Sequence, residues 1–173
     1  MSELEALQAI RQKIDETDSQ MQQLLNKRTA MAEEVARIKI ANGEQISDFY
    51  RPEREAMVLR QVIERNEGPL ADKEMARLFR EIMSACLAAE QPLQVAYLGP
   101  EGSFTQAATL KQFGGSVQLH SMSTIADVFH AVEIGNASYG VVPVENSTEG
   151  MVSHTLDRFI NTPLKINGEV SLR

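Results

Sequence analysis

Up to Glu90 the chain repeats apolar residues at helical intervals; beyond Pro92 the period shortens to that of strands. Leu7, Ile10, Ile14, Met21, Leu24, Leu25, Met31, Val35 and Ile38 form one amphipathic run. Ser2 and Glu5 make an S-x-x-E capping box before it, and "ANG" with Gly43 ends it. The predicted helix is about 40 residues, roughly 60 Å at ~1.5 Å per residue. That is too long to fold back onto one small domain, so a partner chain is expected to cover it. A second helix starts at "RPERE", with Pro52 in its first turn, and ends near "NEGP". Its stripe is Met57, Val58, Val62 and Ile63. A third runs from Asp72 to just before Pro92, with Met75, Leu78, Phe79, Ile82, Met83 and Cys86 inward.

The second half alternates short β runs with helices. "QVAYL", "SVQLH", "YGVVPV" and "LKINGEV" read as strands. "FTQAATLKQF", "TIADVFHAVEIG" (capped by Ser123) and "MVSHTLDRFI" read as helices, and "ENSTEG" as a loop. A β-α-β-α-β-α-β order predicts a parallel sheet with right-handed crossovers. Two domains are therefore expected, an all-α one over 1–91 and an α/β one over 92–173.

Charges interrupt the long apolar stripe. Arg28 shares a heptad line with Leu7, Ile14, Met21 and Val35; Arg11 and Lys39 share the adjacent line with Asp18, Leu25 and Ala32. A long stem that snorkels to water accounts for one such residue. Three cations near one buried face ask for more, because an unpaired buried charge costs several kcal/mol. Asp18 offsets only one, so a small anion between helices is expected. On the third helix, the series Phe79, Met83, Cys86 continues to Glu90.

Composition narrows the field further. With 17 basic against 24 acidic residues, net −7, the chain is a poor match for nucleic acid or an anionic membrane. Residues 1–91 hold 13 of the 17 Lys and Arg, so an anion site belongs there. The lone Cys86 excludes an internal disulfide and suits a reducing, cytoplasmic setting. The start is amphipathic rather than an apolar leader, and no apolar run is long enough to span a bilayer. His120, His130 and His154 are scattered, so no metal or other cofactor is expected. In the α/β half, "YLGPEGSFTQ" and "VPVENSTEGMV" repeat one arrangement: strand, polar glycine loop, helix N-terminus. Both loops fall at carboxyl ends of strands, where backbone N–H groups favour an anion. "GPEGS" is neither a Walker A loop nor a G-x-G-x-x-G fingerprint.

Residues 1–91 resemble the all-helical chorismate mutase family, an intertwined three-helix dimer. The match is carried by Arg11 in "AIRQKID", Arg28 in "LLNKRTAM", Lys39 in "VARIKIA" and Arg54–Glu55 in "RPEREAMVL". The resemblance implies that Arg11, donated by the partner, and Arg28 clamp the two carboxylates of chorismate. It implies that Lys39 bonds the ether oxygen and one carboxylate, Glu55 accepts from the ring hydroxyl, and Arg54 supports the carboxylate side. Arg51 is the alternative to Arg54, and Asp48 is not carried over. Cys86 and Glu90 stand where some family members have a serine and a glutamine, which places Glu90 near the ether oxygen.

"GPEGSFTQAA" and "VPVENSTEG" resemble the two signatures of the prephenate dehydratase family, whose two-lobed fold is similar to solute-binding proteins. That resemblance implies that Ser103, Thr105, Gln106, Glu145, Asn146 and Ser147 line the prephenate side of one lobe. It also implies a dehydratase domain only partly contained in these residues, and therefore inactive in this fragment. Together the halves are similar to the bifunctional P-protein family of phenylalanine biosynthesis, with chorismate and prephenate as ligands and a homodimer formed by the helices. The rival expectation is a non-catalytic protein whose helices only dimerise a ligand-sensing α/β lobe. Arg28 within the stripe speaks against it.

Overall fold

The computed structural model describes residues 2–43, 50–147 and 150–172, with the Glu90 side chain also outside the description. Helix α1 spans Glu3–Ala41, 39 residues. Ser2 caps it as expected: its hydroxyl accepts from the Glu5 N–H, and the Glu5 carboxylate accepts from the Ser2 N–H. Gly43 follows at φ +80°. Helix α2 spans Pro52–Glu64 and α3 spans Asp72–Glu90. α3 packs against both α1 and α2. The core face of α2 differs from the predicted stripe. Leu59 and Val62 are buried, whereas Met57 and Ile63 are each 39 % exposed. Leu59 lies three residues before Val62, one turn back on the same face.

The cover expected for α1 is not supplied by its own chain. Leu7, Ile10, Ile14, Met21, Leu24, Met31, Val35 and Ile38 are all at least half exposed, and Ala36 is the buried residue of the helix.

The second half forms a three-stranded parallel sheet in the order β2-β1-β3, with β1 Gln94–Leu98, β2 Gln118–Met122 and β3 Tyr139–Val141. β1 is central and buried at Val95, Ala96 and Tyr97. Helices α4 (Phe104–Phe113) and α5 (Ile125–Glu133) make the crossovers, and α6 (Ser153–Ile160) packs on α5. Thr124, not Ser123, caps α5, through a reciprocal pair with Asp127. The "ENSTEG" loop carries a short antiparallel ladder, β4 Glu145–Asn146 with β5 Gly150–Met151.

The predicted fourth strand over "LKINGEV" does not form: residues 163–172 are irregular. This segment runs past α4 instead of along β3. Lys111 Nζ donates to the Ser171 carbonyl at 2.6 Å, and Gly168 lies beside Gln112. Without a ladder partner, β-branched residues cannot make a strand by propensity alone.

The two halves are docked. Tyr50, just ahead of α2, stacks with Phe113 and Tyr139 at ring distances of 5.2 and 5.3 Å. Its core cluster includes Leu93 and Val95. From α3, the Glu81 carboxylate accepts the Gly115 N–H at 2.9 Å, and Ser84 Oγ accepts the Ser116 N–H at 3.3 Å.

Candidate functional site

The inward face of α1 is narrow and partly charged. Arg28, Thr29, Ala32 and Lys39 are half-buried around the buried Ala36. These positions recur at three- and four-residue steps, so one stripe of the helix turns to its neighbours. Thr29 Oγ1 lies 3.3 Å from the sulfur of buried Cys86, which fixes that stripe against α3. Two of the three expected cations, Arg28 and Lys39, thus lie on the packed face. Arg11, expected to serve the partner's site, is exposed on its own chain. It stands 17 residues from Arg28, roughly 25 Å along the axis at ~1.5 Å per residue. One compact dicarboxylate cannot touch both within one chain.

Glu55 occupies the first turn of α2 and is turned to α3. Its side chain is 13 % exposed, and Oε1 accepts from Arg80 Nε of α3 at 3.0 Å. Tyr50 adjoins it. Burial, and then the Glu55 carboxylate beside it, push the Tyr50 phenol well above its ordinary range. Arg54 is exposed and points along its own helix, with Nη1 4.0 Å from Met57 Sδ. Arg51, the residue just before α2, is exposed as well. The side chain of Glu90, and Asp48 entirely, lie outside the described residues. Sequence reading missed Tyr50, Thr29 and Arg80. A pair such as Glu55–Arg80, 25 residues apart, has no periodic signal.

In the α/β half, the topology brings both glycine loops to one edge, because they follow the carboxyl ends of adjacent strands β1 and β3. The three polar side chains of the first loop serve the loop itself. Ser103 Oγ caps α4 by accepting from the Gln106 N–H at 3.3 Å. Thr105 donates to the Leu98 carbonyl, and Gln106 Oε1 accepts from the Gly102 N–H at 2.6 Å. This arrangement aims the N-terminus of α4 past the end of β1. Glu145, Asn146 and Ser147 are exposed on the second loop. Thr155, fully buried, anchors that loop to α6 by donating to the Pro143 carbonyl at 2.6 Å.

A concavity of about 410 Å³ lies between α5 and α6, lined by Thr124, His154, Asp157 and Arg158 among others; it includes none of the residues above. Among the described residues no His, Cys, Asp and Glu group is arranged to hold a metal, and no helix is long and apolar enough to cross a membrane.

Comparison with known proteins divides the chain at the same joint. Residues 10–91 match the family described as chorismate mutase type II, and residues 95–173 match prephenate dehydratase. Across the whole chain, the bifunctional chorismate mutase/prephenate dehydratase of Stutzerimonas stutzeri is 56 % identical and that of Pseudomonas aeruginosa 53 % identical. In both cases the match covers 48 % of the relative, so the chain spans about half the length of the curated relatives it matches. A solved chorismate mutase from Thermus thermophilus aligns over 50 % of this chain and 94 % of its own, at 30 % identity and a TM-score of 0.47. The chain is thus similar over its whole length to bifunctional chorismate mutase/prephenate dehydratases, a segment that matches the mutase family leading directly into one that matches the dehydratase family.

Proposed function

We propose that residues 1–91 are a chorismate mutase, which rearranges chorismate to prephenate, and that residues 92–173 are prephenate-binding structure of a dehydratase. The observation that carries the mutase reading is the placement of Arg28 and Lys39, half-buried on the α1 face turned to α3, in a segment that matches the chorismate mutase family. The rearrangement is an isomerisation: the ether C–O bond breaks, a C–C bond forms, and no proton or electron leaves the molecule. The protein then has two tasks. It holds a compact conformer, and it stabilises negative charge on the ether oxygen as that bond opens.

The residues divide between these tasks. Arg28 and a partner's copy of Arg11 clamp the two carboxylates, as bidentate guanidinium groups do. Lys39 donates to the ether oxygen, with Glu90 close to the same atom and Cys86 in the wall. Glu55 accepts from the ring hydroxyl, and Arg54 reinforces the carboxylate side. The assignment of Arg11 to a second copy follows from its distance from Arg28 and from the uncovered apolar face of α1. An intertwined homodimer satisfies both at once.

The α/β region is read as one lobe of a two-lobed, solute-binding-protein-like fold. Ser103, Thr105 and Gln106 shape the first loop, and Glu145, Asn146 and Ser147 present the second, at the strand ends where anions bind. Dehydration of prephenate expels carbon dioxide and hydroxide as the ring becomes aromatic. A cytoplasmic setting fits the free thiol of Cys86.

Complementation tests the mutase reading and its geometry together. Arg11→Ala and Arg28→Ala chains, each inactive alone, are mixed, unfolded and refolded. A mixed dimer then holds one site with both arginines intact, so chorismate depletion returns. Persistent inactivity, with dimers present, would sink the shared site. Full activity of both single variants would sink the mutase assignment itself.

A further inference from the structure

The Glu55 carboxylate is held more firmly than its proposed task requires. Its side chain is 13 % exposed, against 29 % for Arg80. The Arg80 guanidinium reaches it from α3 at 3.0 Å. Tyr50, five residues before Glu55, lies close enough for the carboxylate to act on its phenol. Tyr50 in turn belongs to the α/β half. Its ring packs on Phe113 and Tyr139, its hydroxyl accepts from Gln112 Nε2 at 3.4 Å, and its carbonyl accepts from the Tyr139 hydroxyl at 3.3 Å.

We propose that Arg80 and Tyr50 are positioning residues for Glu55, so that the mutase carboxylate is aimed jointly by α3 and by the docked α/β lobe. The inference rests on the mutase reading of Glu55. An ionised carboxylate offers about four lone-pair sites, and the guanidinium engages one oxygen. The other lone pairs remain for a substrate hydroxyl. Arg80 cannot reach the reacting atoms by this route; it acts through Glu55. Its planar guanidinium, anchored on α3, sets the direction of the carboxylate. Tyr50 acts on the same carboxylate from the connection just ahead of α2. Because its ring is fixed in the aromatic cluster of the lobe, displacement of the lobe would release Glu55. The mutase half is then not independent of the dehydratase half.

A structural staple between α2 and α3 would use the same bond, and it predicts a fall in urea midpoint that tracks the fall in kcat/KM, whereas positioning lowers kcat/KM at an unchanged midpoint. If Arg80 works through Glu55, its replacement matters only while Glu55 is present. Mutase kcat/KM and the urea midpoint are measured on the full 173-residue chain for Arg80→Gln, Glu55→Gln and the double variant. Arg80→Gln alone is expected to lower kcat/KM about 10- to 100-fold, the scale of a misplaced reacting geometry. In the Glu55→Gln background the same change is expected to have less than about a twofold effect, since the two residues then act as one unit. Arg80→Lys, which keeps the charge but loses the fork, should recover part of the loss. Tyr50→Phe keeps the ring packing and should lower kcat/KM about threefold or more without a change in near-ultraviolet circular dichroism.

The outcomes separate cleanly. Equal losses from Arg80→Gln in both backgrounds, a urea midpoint that falls with kcat/KM, or wild-type kcat/KM for Arg80→Gln and Tyr50→Phe, overturn the positioning roles and leave the mutase reading intact. If Glu55→Gln is silent while Arg28→Ala is inactive, Glu55 leaves the site and this inference falls with it. If both are silent, the mutase reading itself has failed.

Discussion

Replacing Gly114 with alanine should undock the two halves of the molecule, and the structure gives the size of the effect. Gly114 ends α4 at φ +79°, ψ −179°. That region of backbone space is essentially reserved for glycine, and holding another residue there costs about 1–3 kcal/mol. A Cβ at this position would lie 2.6 Å from Ser84 Cβ and 2.8 Å from Ser84 Oγ on α3. Ser84 Cβ moves only with its backbone, and Ser84 is itself buried. Overpacking of that kind costs about 1–3 kcal/mol more. The sum is roughly 2–6 kcal/mol, and for a urea m-value of about 1–3 kcal/mol/M the midpoint should fall by about 1 M or more.

Gly135 separates the two contributions. It has φ +78° but nothing within 4 Å of a built Cβ. Gly135→Ala should therefore report backbone strain alone. Ser84→Gly in the Gly114→Ala chain should restore the overlap portion, with an interaction energy of about 1–3 kcal/mol. In the Gly135→Ala chain it should restore nothing. Amide exchange adds a local readout, because the Gly115 and Ser116 N–H groups are bonded to Glu81 and Ser84 and should exchange faster once the contact opens. Equal destabilisation by Gly114→Ala and Gly135→Ala, with unchanged exchange at Gly115, would refute the docking argument.

Arg28→Ala and Lys39→Ala should each lower mutase kcat/KM by on the order of 10²–10³, the scale of losing one transition-state donor, with urea midpoints at or above wild type. Near-normal kcat/KM in either would displace that residue from the site. Ile14→Asp, on the uncovered face of α1, should convert a dimer to a monomer in sedimentation equilibrium and abolish mutase activity with it; an active monomer would contradict the shared site. Tyr50 gives a pH dependence of defined sign. Its phenol is raised in the folded state, so below the ordinary value of about 10 both folded and unfolded chains hold the proton and stability is unaffected. Above that value only the unfolded chain loses it, so stability should fall with rising pH by at most about 1.4 kcal/mol per unit. Urea titrations between pH 9 and 11 should find that slope reduced in Tyr50→Phe, and equal slopes in the two proteins would refute the assignment.

What was legible in the sequence was what periodicity and end chemistry can encode. The Ser2–Glu5 box, Pro52 and the 3.6-residue stripes placed three helices, and the change of period at Pro92 placed the sheet. Arg28 and Lys39 stood out because a cation in an apolar stripe violates the local pattern. What failed needed a partner in space. "LKINGEV" has strand propensity but runs beside Lys111 and Gln112 rather than beside β3. Leu59 was passed over because α2 meets α3 along a line that its own sequence does not select. Tyr50, in a short connection between helices, carried no pattern at all, although it joins the aromatic core of the other half.

The joint between the halves is where these observations converge. Glu81 and Ser84, three residues apart, share one face of α3 and hold the Gly115–Ser116 backbone of the lobe. Cys86 lies two residues beyond Ser84, about 200° further around the axis, and meets Thr29 of α1. Arg80, on the same helix, holds Glu55 of α2. One rigid helix therefore sets the cation face of α1, the carboxylate of α2 and the seat of the α/β lobe. A rotation of α3 that released the lobe would also move Cys86 and Arg80. Helix α3 is thus a common wall of the two halves, and a substitution at Glu81 or Ser84 should be felt at Cys86 and Arg80 through the helix rather than through any contact of its own with them.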